Sequence, residues 1–204
     1  KIKKICLGDF HSLALTTTGD VYTWGFGGEK GYLRFFRRDP GALGHGNWQH
    51  QFVPKKVDYF TEHNIKIKDI SVGISHSVVL SEDGHVYTFG KGEFGKLGQG
   101  SNKDKEIPTR IELLDMLLQE DTKNEIVKID CANEYTGVLN KGGELYVWGK
   151  NESGQLGVGS GIGIDMQESE KFPVMVNNTE NIKIVDFDCG ENGMLIKLEN
   201  GLMY

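Results

Sequence analysis

Apolar and polar positions along this chain fall into short strand-like runs broken by glycine. The clearest stretch reads Val78–Val79–Leu80, then Ser81–Glu82–Asp83–Gly84, then Val86–Tyr87–Thr88–Phe89. Two β-prone runs flank a turn whose glycine can take a positive φ, which predicts a hairpin. The pattern recurs. Turn glycines Gly19, Gly84, Gly143 and Gly201 each precede a tyrosine, and Tyr22, Tyr87, Tyr146 and Tyr204 follow one another at intervals of 65, 59 and 58 residues. In the first three units the second run ends in an aromatic residue and a glycine: Trp24–Gly25, Phe89–Gly90 and Trp148–Gly149. Upstream stand Phe10–His11–Ser12, Ser75–His76–Ser77, Glu134–Tyr135–Thr136 and Asn192–Gly193–Met194; downstream stand Gly41–Ala42–Leu43–Gly44, Gly95–Lys96–Leu97–Gly98 and Gly154–Gln155–Leu156–Gly157.

A lone hairpin is marginal in water, whereas sheets stacked radially cover each other's faces and leave only short edges. A propeller therefore answers the period, with Trp24, Phe89 and Trp148 as apolar surface between neighbouring blades. Gly-x-x-His-Ser, Gly-x-Val-Tyr-x-Trp-Gly and Gly-Gln-Leu-Gly-x-Gly together resemble the repeat of the regulator of chromosome condensation family. That resemblance implies an all-β partial β-propeller of about three and a half four-stranded blades, part of a seven-bladed ring. Its repeat units run over 1–57, 65–111, 126–176 and, incompletely, 182–204. Three and a half blades cannot close a ring, so further sequence or another chain is expected to complete it.

Repeated residues hold a scaffold, and function is sought where one unit departs from the others. Between the repeat glycine and the repeat leucine lie 7 positions in units two and three but 18 in unit one, an insertion of eleven residues. The inserted segment interleaves Tyr32, Phe35 and Phe36 with Arg34, Arg37 and Arg38, a composition enriched at interface hot spots. These six are the partner-binding candidates; the alternative is a loop folded back on its own blade. Residues 107–118 place Ile111, Leu114, Leu117 and Leu118 at helical spacing after Pro108, predicting a short amphipathic helix on the outer edge of its blade, or docked to another subunit. Residues 158–170, glycine-rich and then acidic, read as a surface connector.

Composition narrows the chemistry. With 38% apolar and 25% charged residues, 28 glycines and 4 prolines, the chain of 204 residues reads as a soluble all-β protein. A formal charge of −6 lacks the basic excess that phosphate binding needs, so direct nucleic-acid contact is disfavoured. No apolar run is long enough to span a bilayer, and the opening residues 1–10 hold too short an apolar region for a signal peptide. Gly90–Lys91–Gly92–Glu93–Phe94–Gly95 matches a dinucleotide fingerprint in letters only, since no strand–turn–helix unit surrounds it. His11 and His76 occupy equivalent places, but Tyr135 and Gly193 follow there, so no imidazole ring forms. A hydrogen bond to nearby backbone is expected instead. His45 and His50 stay unassigned. Cys131 and Cys189 replace Leu7 and Val72 of the earlier units, and with Cys6 they make an odd number, which fits reduced thiols in an intracellular or organellar setting.

The residues thus point to a non-catalytic scaffold for protein–protein interaction, a subunit or docking factor of a larger intracellular assembly. No cofactor and no metal site are expected. The resemblance implies an alternative, guanine-nucleotide exchange on a small GTPase, for which no family wedge residue can be matched here. Cytoplasm, nucleus and mitochondrion all remain open as compartments.

Overall fold

The computed structural model describes residues 1–28, 42–117, 124–158, 168–177 and 182–204. Three four-stranded antiparallel meanders follow one another: β1 (Ile2–Leu7), β2 (His11–Thr16), β3 (Val21–Gly25) and β4 (Gln51–Lys56); then β5 (Ile67–Val72), β6 (His76–Ser81), β7 (Val86–Gly90) and β8 (Lys105–Arg110); then β9 (Ile126–Ala132), β10 (Tyr135–Asn140), β11 (Leu145–Lys150) and β12 (Ser169–Met175). A fourth sheet holds β13 (Ile184–Cys189) and β14 (Met194–Leu198), and Tyr204 exchanges both backbone hydrogen bonds with Ile196, where a third strand opens. These sheets are blades. The first strand of each packs on the first strand of the next, so β1, β5, β9 and β13 line the hub and β4, β8 and β12 the rim.

Strand periodicity then decides what each blade shows its neighbours. In β6, Val78 and Leu80 join Ile129 and Trp148 of the third sheet, whereas Val79 between them joins Leu13, Leu15 and Val21 of the first. Both faces are covered, which is why every residue of β6 and β10 is buried. Each such aliphatic side chain contributes about 1.5–3 kcal/mol by leaving water. At the hub, equivalent positions alternate in sign as Lys4, Asp69, Lys128 and Asp186, with Lys4–Asp69 and Lys128–Asp186 paired at 2.7 Å. Exposed pairs of this kind add at most about 1 kcal/mol and serve register more than stability.

Among the described residues two short helices follow rim strands, α1 (Asp58–Glu62) and α2 (Glu112–Leu117). The helix expected over 107–118 is thus shorter, because 107–110 belong to β8. Pro54, Pro108 and Pro173 all sit in rim strands, where a missing N–H costs no ladder bond. Ile111 and Leu114 are buried between the second and third sheets rather than on their own blade's edge alone, while Leu117 is exposed. Leu118 lies outside the described residues.

Candidate functional site

The repeated residues converge on the joints between blades. Antiparallel register sets His11 opposite Gly25, His76 opposite Gly90 and Tyr135 opposite Gly149, and next to them Ser12 opposite Trp24, Ser77 opposite Phe89 and Thr136 opposite Trp148. Gly90 has φ +112°, and a Cβ there would stand 2.6 Å from the Ser75 carbonyl oxygen, so no other residue fits. Across each joint the Gly-x-Leu-Gly loop of one blade receives the aromatic of the next. Gly44 meets Phe89 and Gly98 meets Trp148, each at 2.9 Å from a built Cβ.

A polar relay accompanies each aromatic. His11 Nε2 lies 2.9 Å from Ser77 Oγ, whose hydroxyl donates to the Ala42 carbonyl at 2.8 Å; His76 Nε2 lies 2.9 Å from Thr136 Oγ1, which donates to the Lys96 carbonyl at 3.0 Å. Because each hydroxyl proton is committed to a carbonyl, the imidazole is the donor, which fixes the Nε2–H tautomer. The histidines therefore bond to a hydroxyl on the next blade, not to nearby backbone as the sequence suggested. Burial lowers His11 to about 4 and drives His76 well below its usual value, so both are neutral. The Trp148 indole N–H adds a 2.9 Å bond to the Lys96 carbonyl. In the third joint Met194 replaces the hydroxyl residue and Tyr135 replaces histidine, its longer side chain bringing the phenol 2.6 Å from the Gly193 carbonyl and 2.9 Å from that of Gly190.

Joints also differ in charge. Lys96 is fully buried and bonds Ser75 Oγ at 3.0 Å and the Glu134 carboxylate, which holds it as an ammonium against burial that pulls its pKa down. Ala42 takes the same place in the first joint and needs no partner. His45 belongs to the first blade's loop: it pairs with Thr23 Oγ1 at 2.9 Å while Thr23 donates to the Leu43 carbonyl at 2.7 Å, the role that Gln99 and Thr88 fill in the second. The three cysteines are free, and burial pushes the Cys131 and Cys189 thiols up, which keeps them protonated and inert.

One surface was missed by sequence reasoning. Phe10, Phe26, His50 and Phe52 form a ladder of rings on the first blade, with centroids 6.2, 4.8 and 6.3 Å apart in turn. Phe52 is 91% exposed. The signal was available by comparing units, since Phe10 stands where Ser75 and Glu134 stand, Phe26 where Lys91 and Lys150 stand, and Phe52 where Glu106 and Lys171 stand. His50 Nδ1 accepts the Gly27 N–H at 2.9 Å, as Asp104 accepts that of Gly92. The inserted candidates Tyr32, Arg34, Phe35, Phe36, Arg37 and Arg38 lie outside the described residues, between Gly28 and Ala42.

Known proteins share this arrangement. The Regulator of chromosome condensation (RCC1) repeat profile matches residues 37–80, 83–139 and 142–196, and a second RCC1 repeat profile matches 2–30 and 67–96. The mitochondrial RCC1 domain-containing protein RUG3 of Arabidopsis thaliana is 30% identical over 98% of this chain and 40% of its own length; the human E3 ubiquitin-protein ligase HERC2 is 28% identical over 96% of this chain and 4% of its own. Yeast RCC1 (Prp20), solved bound to Kap60, superposes with a TM-score of 0.76 at 24% identity, covering all of this chain and 41% of that one. The chain thus spans less than half the length of these relatives. With its repeat motifs, its blade joints and these matches in agreement, the chain belongs to the regulator of chromosome condensation repeat family.

Proposed function

We propose that this chain is part of a non-catalytic propeller scaffold that binds a protein partner within a larger intracellular assembly. One observation carries the reading. The first unit accepts eleven extra residues without disturbing its joint: Ala42 still takes the Ser77 hydroxyl, Leu43 that of Thr23, and Gly44 still seats Phe89. A basic and aromatic segment spliced ahead of an intact joint has the composition that suits recognition. The histidines that might have served as bases are buried, neutral and committed to the relays. Yeast RCC1 (Prp20), which shares this fold, has been solved bound to another protein, Kap60, which supports the reading. Reduced thiols favour an intracellular compartment, and the mitochondrial relative makes that organelle one of the settings to examine.

The test is replacement of Phe35, Phe36 and Arg37 by alanine. Partners co-purified with the unaltered chain should lose at least tenfold in affinity while the melting temperature stays within about 2 °C, the range of neutral surface changes. Partner retention at unchanged affinity would discard the role of the segment. Acceleration of nucleotide release from a small GTPase by the same chain would favour the exchange-factor reading instead.

A further inference from the structure

In each four-stranded blade the chain leaves the third strand and is stapled at once, through one backbone N–H, to the residue that leads into the fourth. Gly27 donates to His50 Nδ1 at 2.9 Å, Gly92 to Asp104 Oδ1 at 2.9 Å and Asn151 to the Glu168 carbonyl at 2.8 Å. His50, Asp104 and Glu168 each stand one residue before the fourth strand, so a single place in the repeat holds three kinds of acceptor. The two backbones run in contact here. A Cβ built on Gly27 would stand 2.0 Å from the Gln49 carbonyl oxygen, and one on Gly92 2.2 Å from that of Lys103. Units two and three flank the staple with an ion pair, Lys91 with Glu93 at 2.7 Å and Lys150 with Glu152 at 2.8 Å. Unit one has Phe26 and Gly28 at those places, so that pair cannot form, and the Phe26 ring lies instead on the His50 imidazole with centroids 4.8 Å apart and planes at 35°. The inserted residues fall between this staple and Ala42.

We infer that His50 is the positioning residue of the inserted segment: its imidazole closes the stem at Gly27 and so sets the base from which Phe35, Phe36 and Arg37 are presented to a partner. The inference rests on the recognition reading above and adds to it the residue that holds the segment's exit from the blade. The return is held separately. There the Ala42 carbonyl takes the Ser77 hydroxyl at 2.8 Å, and the Ala42 Cα stands 3.2 Å from a Cβ built on Gly90. Closing the exit as well shortens the free length of chain and lowers the entropy that binding has to remove. Accepting the Gly27 N–H fixes the neutral ring as the Nε2–H tautomer, and the Phe26 ring over its face holds the imidazole plane so that Nδ1 stays aimed at the donor. Bond and stack can be separated by mutation. Leucine at position 50 keeps an apolar contact with Phe26 but has no lone pair, whereas aspartate has one, as Asp104 shows at the same place in unit two.

Trypsin probes the segment at Arg34, Arg37 and Arg38 without any partner. In the full chain, His50→Leu should speed both Gly27 amide hydrogen exchange and cleavage at these arginines by about fivefold, the weight of one net hydrogen bond. His50→Asp should return both to within about twofold of the unaltered chain. The partner fraction co-purified with the unaltered chain should rebind His50→Leu about fivefold more weakly and His50→Asp at native strength. Rescue by a carboxylate is what a merely structural role would not give, since a ring needed only for its stack on Phe26 is not replaced by aspartate. Unchanged exchange and cleavage in His50→Leu overturns the inference; so does faster cleavage with undiminished partner affinity, or failure of His50→Asp to restore either. Phe26→Ala, which keeps the imidazole but removes the ring that orients it, serves if His50→Leu does not fold: it should raise cleavage by a smaller factor, and no rise overturns the inference too. Alanine at Phe35, Phe36 and Arg37 tests the recognition reading by itself. If the partner is kept there, that reading falls and the partner role of His50 with it, while Gly27 exchange and cleavage still decide whether His50 closes the stem.

Discussion

The first and second joints of this molecule use one backbone geometry and two chemistries. Between blades one and two, the loop residue is Ala42, the seated aromatic is Phe89 and no charge is buried among the described residues. Between blades two and three, Lys96 fills that place, Glu134 and Ser75 hold its ammonium, and Trp148 bonds the loop carbonyl. The glycines, the hydroxyl relay and the register are common to both. The backbone frame therefore fixes how blades meet, while one variable loop residue and its opposite number give each joint its own chemistry.

The largest effect should come from breaking the charged joint on one side only. Glu134→Ala leaves Lys96 buried without its carboxylate and should cost about 3–5 kcal/mol in urea unfolding. Lys96→Met with Glu134→Gln removes both charges at similar volume and should return to within about 1.5 kcal/mol of the native chain. If the single and double variants are equally unstable, the ion pair is not what distinguishes the two joints.

Acid should weaken both joints through what they share. His11 and His76 have native pKa values below their unfolded value near 6.5, so the unfolded chain binds more protons on acidification. Their contribution is complete above about pH 6.5 and falls by up to about 1.4 kcal/mol per pH unit per histidine down to pH 4, where His11 itself protonates. Denaturant midpoints measured between pH 7 and 5 should show this slope, and His11→Gln should reduce it. A pH-independent midpoint across that window would mean that the relays do not hold neutral imidazole.

The smallest effect contrasts two equivalent hydroxyls, one inside a described joint and one on the first blade. Ser77→Ala strands the His11 N–H and the Ala42 carbonyl and should cost about 1–3 kcal/mol, whereas Ser12→Ala, where no relay forms among the described residues of this chain, should stay within about 0.5 kcal/mol. Equal losses at the two positions would show that the hydroxyl acts within its own blade.

Much of the frame was legible in the residues. Turn glycines at regular intervals and paired strand runs disclosed the blades, because local backbone requirements such as the positive φ at Gly84 and Gly90 leave a mark in sequence. The ring ladder was hidden for the opposite reason. Phe10, Phe26, His50 and Phe52 come from three separate stretches, and nothing local distinguishes an exposed phenylalanine from a core one. The histidine relays were half visible: the repeat placed His11 and His76, but their partners lie 66 and 60 residues away on the next blade.

By itself, then, the order of residues determined the repeat, the strand pairing within each blade and the positions at which one unit differs from another, since these rest on short-range sterics and hydrophobic alternation. Only the packing of blade on blade decided which histidine meets which hydroxyl and that Lys96 is answered by Glu134. Such pairings depend on contacts between residues some sixty positions apart, and a side chain's meaning there is set by the surface brought against it.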